Sequence, residues 1–262
     1  MPKTKPPAAP HGNRLLARLP PEEYQRLLLR LQLVPLELKQ TLYEAHSPMD
    51  YAYFPNRGVV SALTVMENGS AIEVATIRDE GMVGLPILLG AKTTTSRMII
   101  QVPGEALRLS AEALKEETSQ DSPLRRLLVL YQCAFLVQIS QAVACNGLHS
   151  VHQRCCRWLL MTQDRAHSDV FPMTHELLAE LLGVRRSTVS EVLERFQEEG
   201  LIRYIRGEIH RPRPRGFEGR FLRVLSENQR GVRALVRLNT KGWLITHALS
   251  VGERTDESES RP

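Results

Sequence analysis

Several side chains between residues 186 and 191 could read DNA bases through hydrogen bonds. Arg186 can form two parallel hydrogen bonds to O6 and N7 of a guanine, and the hydroxyls of Ser187 and Ser190 can bond to bases or phosphates. We predict that Arg186 contacts a base directly and that Ser187, Ser190 and Glu191 contribute to the same surface. Contacts to DNA phosphates are predicted for three further side chains: Thr174, Thr188 and Arg206.

Residues 173–201 predict the two short helices that would position these side chains. Thr174 is a good N-cap for the first helix, and leucines at 177, 178, 181 and 182 form an apolar stripe at helical spacing. Gly183 can adopt the positive φ that ends this helix, and Gly200 stops the second one. Two helices joined by a tight turn are typical of a helix-turn-helix, whose second helix enters the DNA major groove. The alternative is an amphipathic helical hairpin that has no DNA partner.

The segment after these helices favours nucleic acid. Residues 200–209 predict a strand, a turn and a second strand, which together form the wing of a winged helix. The stretch 201–241 contains eleven basic side chains and three acidic ones, so the rest of this +5 chain is slightly acidic. Positive charge concentrated beside a helix-turn-helix suits phosphate contacts and the release of counterions. A solvated basic face is the other interpretation.

The overall composition is typical of an intracellular, two-domain protein. A chain of 262 residues with 42% hydrophobic content can bury a substantial core. The Pro-rich N-terminus has no apolar stretch of the kind a secretory signal needs, and four cysteines are too few for a disulfide framework. We therefore predict a cytoplasmic protein.

One uncharged stretch, residues 127–145, is long enough to cross a bilayer. Glutamines and a serine interrupt it, and a set of its positions alternates in steps of four and three, as in a coiled coil. We predict a dimerisation helix without a membrane partner, with a membrane span as the alternative. The predicted seam consists of Leu124, Leu128, Tyr131, Phe135, Gln138, Ala142, Cys145 and His149.

The N-terminal half predicts mostly β-structure. A helix is expected over Pro20–Leu33, followed by strands at Tyr51–Phe54, Gly58–Met66, Ala71–Ile77, Ser96–Val102 and Glu105–Leu109. Asn68-Gly69 predicts a hairpin turn, and Ser110 is expected to cap a short helix that ends near Glu117. The predicted fold class is α+β: an N-terminal antiparallel β-roll, a long dimerisation helix and a C-terminal winged helix-turn-helix.

Three groups of residues follow one another at the spacing found in one known family. They are Tyr-Phe-Pro at 53–55 with Gly-Val-Val-Ser at 58–61, Glu-Gly-Met-Val-Gly-Leu at 80–85, and Leu-Leu-Gly-Val at 181–184 with Thr-Val-Ser at 188–190. With the long helix between them, they resemble the Crp/Fnr transcription regulators over roughly residues 15–210. The resemblance implies a homodimer that binds a palindromic operator in double-stranded DNA, with RNA polymerase as a further partner.

The predicted domain organisation has five parts. They are a disordered tail (1–14), a β-roll effector or sensor domain (15–120), a dimerisation helix (121–150), a winged-helix DNA-binding domain (151–210) and a basic, atypical C-terminal region (211–262).

The resemblance also implies an effector pocket in the cyclic-nucleotide-binding-like β-roll. The matching candidates are Gly81, Met82, Val83, Gly84, Arg97 and Met98. Met82 stands where cyclic-AMP-binding members have a Glu, and Met98 follows Arg97 where those members have Ser or Thr. A thioether is a poor hydrogen-bond partner for a ribose or a phosphate, so the effector is expected to be a small molecule other than cyclic AMP. No cofactor is identified, and the N-terminal cysteine cluster of iron–sulfur members is absent because the first cysteine is Cys133.

The predicted recognition helix departs from the family pattern as well. Arg186 matches a position that commonly contacts guanine. Ser187 stands where a Glu is frequent, and Glu191 stands where an Arg is frequent. These changes allow an operator that differs from the best-known half-sites.

Four sulfur and imidazole side chains, His149, His152, Cys155 and Cys156, lie close in sequence and could suggest metal or redox chemistry. Their spacing does not converge on one point, so we predict packing in the hinge region and no metal site, with a thiol sensor as the alternative.

An enzyme is not predicted. The β-roll has no set of converging histidines, because His46 is the only one between His11 and His149, and no hydrolase or zinc-protease motif is present. A regulator that uses the dimer helix for protein interaction without specific DNA binding is the main rival. It predicts no salt-dependent binding to duplex DNA.

Overall fold

The computed structural model describes residues 12–166 and 170–210. Most of the predicted N-terminal tail, up to residue 11, and the predicted basic region 211–262 lie outside the described residues. The helices are α1 (Pro21–Leu28), α2 (Ala111–Glu117), α3 (Pro123–Leu148), α4 (Val151–Ala166), α5 (His175–Leu182) and α6 (Arg186–Glu198). The strands are β1 (Gln32–Leu36), β2 (Thr41–Tyr43), β3 (Tyr51–Val65), β4 (Ala71–Ile77), β5 (Ser96–Ser110), β6 (Val170–Pro172), β7 (Arg203–Ile205) and β8 (Glu208–His210).

The N-terminal sheet is antiparallel, with the strand order β1-β5-β3-β4 and with β2 paired to another part of β5. The two long strands, β3 and β5, pair from Tyr51 opposite Ser110 to Thr64 opposite Ser96. Apolar side chains from these strands, among them Phe54 and Ile100, are completely buried in the interior of the roll. The predicted antiparallel β-roll is confirmed.

The sequence prediction divides both long strands in two, and this is wrong. β3 runs through Pro55–Gly58, and three register shifts against β5 accommodate this stretch. Gly58 has φ +89°, and a Cβ there would lie 2.6 Å from the carbonyl oxygen of Val102. A β-bulge bends a strand without ending it, so the turn-forming residues of this stretch kink the strand and do not break it.

The predicted helix Pro20–Leu33 is also too long. α1 ends at Leu28, and Gln32–Leu36 forms β1 at the edge of β5. The hairpin turn at Glu67–Ser70 is confirmed, with Gly69 at φ +80°. Ser110 caps α2 as predicted, since its side chain accepts a hydrogen bond from the backbone N–H of Ala113.

The long helix α3 lies within the predicted segment 121–150. Ser122 caps its first turn, and the buried carboxylate of Glu23 accepts a hydrogen bond from the N–H of Leu124 at 3.1 Å. The helix ends at Leu148 because His149 has an extended backbone, with φ −106° and ψ 143°. α4 begins at Val151, so two residues that are not helical separate these two helices.

The C-terminal part contains α4, α5, α6 and a three-stranded sheet in the order β6-β8-β7. The predicted wing is confirmed as the hairpin of β7 and β8. Strand β6 was not predicted, because three residues ending in Pro172 carry no alternation that could be read from sequence.

Two groups of buried side chains form the core. One fills the β-roll and extends to α1, α2 and the first half of α3. The other joins α4, α5, α6 and the wing, and it also includes Leu63, Ala71 and Ile99 from the tip of the β3–β4 hairpin and β5. The winged-helix part therefore packs against the β-roll of its own chain.

Candidate nucleic-acid interface

The helix-turn-helix is built by local sequence signals. The Thr174 hydroxyl accepts a hydrogen bond from the N–H of Leu177 at 3.2 Å and so caps α5. Gly183 takes φ +63° and ends α5, and α6 begins three residues later at Arg186. Gly200, at φ +67°, follows the end of α6. Each of these features was predicted from the sequence.

One side of α6 is fixed by packing and the other is exposed. Val189, Leu193 and Phe196 are buried against the rest of the domain. The opposite side presents Arg186, Ser187 and Glu191 to solvent, with Ser190 and Thr188 half-buried beside them. The structure thus brings the four residues predicted to read bases onto the open, N-terminal half of one helix. This is the part of a recognition helix that reaches base edges.

Arg186 already has a charged neighbour. Its Nε lies 2.7 Å from a carboxylate oxygen of Glu176 in α5, and the side chains are 68% and 61% exposed. Hydrogen bonding to the backbone, together with the nearby guanidinium of Arg186, lowers the pKa of Glu176. An ion pair this exposed to solvent is weak, so Arg186 can exchange Glu176 for a guanine at small cost.

His175 connects α5, the recognition helix and the wing, and the sequence prediction missed it. Its Nδ1 shares a 2.7 Å hydrogen bond with the Ser190 hydroxyl, and its ring lies 4.6 Å from that of Tyr204. Burial, and then the charge of Arg186, lower the pKa of His175. The sequence does not indicate that His175 connects α5 to the recognition helix and the wing, because fifteen positions separate it from Ser190.

The wing places Arg206 at the tip of its hairpin. Arg206 and Gly207 have φ of +50° and +86°, as a tight two-residue turn of type I′ requires, and Arg206 is exposed. The amide oxygen of Gln197 accepts a hydrogen bond from the N–H of Tyr204 at 3.0 Å and so ties the wing to α6.

The structure does not bring the predicted effector residues together. Val83 pairs with Tyr53 at one end of β3, whereas Arg97 pairs with Leu63 at the other end. Arg97 instead forms an ion pair with Glu180 of α5 at 3.0 Å. Its position beside the helix-turn-helix corrects the prediction that it lines one pocket with Gly81–Gly84.

The turn Gly81–Gly84 is filled by the protein's own side chains. Met82 and Val83 are buried, and the Tyr131 hydroxyl of α3 donates a hydrogen bond to the carbonyl of Met82 at 3.3 Å. A Cβ on Gly81 would clash with this Tyr131 ring. Met98 is buried as well, at 6% exposure. The position where the family resemblance implies an effector is thus packed with protein.

The predicted dimer seam faces the wrong way. Leu124, Leu128 and Tyr131 belong to the core of the β-roll, and Phe135 packs against that core. Gln138 donates a hydrogen bond to the carbonyl of Thr76 in β4 at 3.0 Å. Ala142 and Cys145 are buried too, while His149 lies beyond the end of the helix. Most of these side chains are buried against their own chain, and only Phe135, Gln138 and His149 are half-buried, so the predicted seam does not form a continuous exposed face.

A different face of α3 is exposed. Val129, Leu136 and Val143 are 43%, 55% and 63% exposed. With Cys133 and Ser140 they follow one another in steps of four and three residues. By length and composition α3 could cross a membrane, and only 28% of its most apolar window is buried in this structure.

The histidine and cysteine cluster is consistent with packing. Cys155 and Cys156 are completely buried, and burial raises the pKa of both thiols, which disfavours the reactive thiolate. The His152 ring lies 4.6 Å from that of Phe196. Among the residues that the structure describes, no group of three or more acidic, histidine or cysteine side chains could hold a metal.

Two family models match the chain. The cyclic nucleotide-binding domain matches residues 33–121, and the Crp-like helix-turn-helix domain matches residues 153–218, together more than half of the sequence. The global nitrogen regulator of a Nostoc species is 23% identical over 188 residues, which cover 67% of this chain and 84% of that protein.

Solved structures show the same fold. A transcriptional regulator of the Crp/Fnr family from Eubacterium rectale superposes with a TM-score of 0.65 at 16% identity, covering 80% of this chain and 98% of that one. The c-di-GMP-responsive global regulator CLP of Xanthomonas campestris gives 0.62 at 15% identity, covering 74% and 99%.

These matches identify a regulator with a helix-turn-helix DNA-binding domain and not an enzyme. Both matched domains occur in the order that the β-roll, long helix and winged helix display in the structure. The chain belongs to the Crp/Fnr family of transcription regulators.

Proposed function

We propose that the protein acts as a homodimer that binds a palindromic operator sequence, with Arg186 reading a guanine in each half-site. The observation that carries this proposal is the exposed N-terminal half of α6, where Arg186, Ser187, Ser190 and Glu191 share one surface. Thr188 beside them and Arg206 at the wing tip are suitably placed for phosphate contacts. The Thr174 oxygen already caps α5, so only its hydroxyl proton remains for a phosphate.

The exposed face of α3 supports the dimer. Val129, Cys133, Leu136, Ser140 and Val143 follow the 4-3 spacing of a coiled coil, and no described residue of the same chain covers them. Two copies packed through this stripe would bury the apolar surface that makes α3 resemble a membrane span. They would also place two recognition helices about a two-fold axis, as a palindrome requires.

The sensor domain (15–120), dimerisation helix (121–150) and DNA-binding domain (151–210) follow from this organisation, in a cytoplasmic protein with RNA polymerase as a further partner. The effector in this proposal is not cyclic AMP. The turn that would hold its ribose is occupied by Met82 and Tyr131, and Arg97 is bound to Glu180.

Selection of bound duplexes from a random DNA pool tests the proposal. The wild-type chain is expected to enrich a palindrome, and Arg186→Ala is expected to lose the preference for one base in each half-site, equivalent to about 1–3 kcal/mol. The control is Arg195→Ala, which removes the same charge from the C-terminal end of α6, where the side chain is also exposed. It should weaken binding without changing the enriched sequence.

Two results would contradict specific readout by Arg186. One is a palindrome that both variants enrich equally. The other is uniformly weak binding that depends only on salt, which favours a basic surface and the rival role of a protein-interaction regulator.

A further inference from the structure

The hydroxyl of Ser190, on the N-terminal half of α6, makes two hydrogen bonds within the protein. It donates to the carbonyl oxygen of Arg186 at 3.2 Å, and its oxygen lies 2.7 Å from Nδ1 of His175 in α5. A serine hydroxyl has one hydrogen and two lone pairs. Since the hydrogen is used on the Arg186 carbonyl, the second contact is a hydrogen bond only if Nδ1 of His175 carries a hydrogen and donates it to Ser190.

The surroundings of the imidazole favour the same arrangement. Burial, and then the charge of Arg186, hold the pKa of His175 below its ordinary value, so the ring is neutral near pH 7. Its Nε2 is buried and has no hydrogen-bond partner among the described residues, so a hydrogen there would be a buried donor without an acceptor. The neutral ring therefore carries its hydrogen on Nδ1. A protonated ring has hydrogens on both nitrogens, so Nδ1 donates to Ser190 in either charge state.

The wing holds this imidazole in place. The Tyr204 ring of β7 lies 4.6 Å from the ring of His175, at an angle of 48° between the ring planes. The backbone N–H of Tyr204 is itself fixed, because it donates to the amide oxygen of Gln197 in α6 at 3.0 Å. His175 thus contacts both the wing and the recognition helix, and its donor is directed at Ser190 before any DNA is bound.

We propose that His175 is a positioning residue that makes Ser190 a hydrogen-bond acceptor toward DNA, so that Ser190 reads the exocyclic amino group of an adenine or a cytosine. One lone pair of the Ser190 oxygen remains free, and N6 of adenine and N4 of cytosine are the donors on the base edges of the major groove. Phosphate oxygens are acceptors and do not suit it.

The position of Ser190 on α6 agrees with this role. Ser190 is half-buried, and its hydrogen bond to Arg186 lies at the solvent-exposed surface. It follows Arg186 by four residues and so lies on the same side of the helix. The base that Ser190 reads is therefore expected to neighbour the guanine of Arg186. This inference rests on the proposed binding to an operator.

Two substitutions of His175 separate its hydrogen bond from its ring packing. His175→Asn keeps an N–H donor near the place of Nδ1 and removes the ring, whereas His175→Phe keeps a ring beside Tyr204 and removes the donor. Selection from a random DNA pool with the full chain and with Ser190→Ala first identifies the base pair that Ser190 reads. His175→Phe is expected to lose the preference at that pair, about three- to tenfold in affinity, and His175→Asn to keep it. In a Ser190→Ala background, neither substitution should change the enriched sequence.

Modified duplexes test the amino group itself. Purine in place of the adenine, or 2-pyrimidinone in place of the cytosine, deletes the exocyclic amino group of the base that Ser190 reads. The deletion should weaken binding of the wild-type chain by the same three- to tenfold, and it should not weaken binding of Ser190→Ala further.

Two results would overturn the inference. One is a preference that is lost in His175→Asn and kept in His175→Phe, which would assign His175 to packing alone. The other is a Ser190→Ala chain that binds all sequences more weakly to the same extent, as expected for a phosphate contact. An enriched operator that depends on Arg186 but not on His175 would contradict this inference alone, whereas a wild-type chain that enriches no sequence would contradict the proposed function as well.

Discussion

The contact between the turn of the helix-turn-helix and the β-roll can be tested at Gly183. This glycine has φ +63°, and a Cβ built on it would lie 3.0 Å from Cδ1 and 3.2 Å from Cβ of Ile72 in β4. Gly183→Ala therefore has two costs. The left-handed conformation costs a residue with a Cβ about 1–2 kcal/mol, and displacing Ile72 from its rotamer costs about 0.5–1.5 kcal/mol more. We expect the free energy of unfolding to fall by about 2–3 kcal/mol.

Gly200 is a matched control, because it has nearly the same φ, +67°, and none of the described atoms lies within 4 Å of the place that a Cβ would take. Gly200→Ala should show the conformational cost alone. Guanidinium unfolding of the full chain measures both changes. In thermal unfolding, an extra 1 kcal/mol at Gly183 corresponds to a midpoint about 2–4 °C lower than that of Gly200→Ala.

Ile72→Val removes the Cδ1 atom nearest to the new methyl group. In that background, the additional loss caused by Gly183→Ala should shrink. If Gly183→Ala destabilises the protein no more than Gly200→Ala, with or without Ile72→Val, then α5 does not pack on β4 in solution. That result would refute the second core shared by the two parts of the chain.

Two further predictions concern the exposed face of α3 and three half-buried histidines. Leu136→Glu is expected to dissociate the dimer in sedimentation experiments, because it places a charge in the exposed α3 stripe. Leu89→Glu changes a β-roll leucine that is 64% exposed and should leave the dimer intact. If both variants remain dimeric, the α3 interface is contradicted. Burial lowers the pKa of His152, and also that of His149 and His175. The unfolded chain therefore binds more protons below about pH 6.5, and the free energy of unfolding decreases as the pH falls through that point toward the lower pKa of the folded state. His152→Phe should flatten urea-unfolding stability between pH 6.5 and 5.5, and an unchanged slope would contradict this assignment.

Structural features that depend on only a few neighbouring residues could be predicted well from the sequence. The cap at Thr174, the left-handed Gly183 and the turn at Gly69 are all fixed by the conformational preferences of single residues. The exposed group on α6 could be predicted because one apolar stripe per helix determines which side is left for solvent. The family motifs rest on the same short stretches, so the order and spacing of the residues are enough to recognise them.

Helix α3 shows what the sequence left open. Both the predicted seam through Leu128 and the exposed stripe through Leu136 repeat in steps of four and three, because the helix is apolar on nearly all sides. Periodicity cannot decide between two such faces. Contacts with the β-roll determine which face of α3 is buried: Gly81 leaves room for the Tyr131 ring, and Thr76 accepts the hydrogen bond of Gln138.

The sequence by itself determined the order of the three parts (β-roll, long helix and winged helix), the helix-turn-helix and the residues that it exposes, since these depend on local propensity and pattern. Tertiary structure alone decided which side of α3 is free, that Arg97 pairs with Glu180, and that Gln138 of α3 donates a hydrogen bond to Thr76 of β4. Each of these depends on contacts between residues far apart in sequence. Such contacts form only when the packing of whole elements brings the residues together, and no local signal encodes that packing.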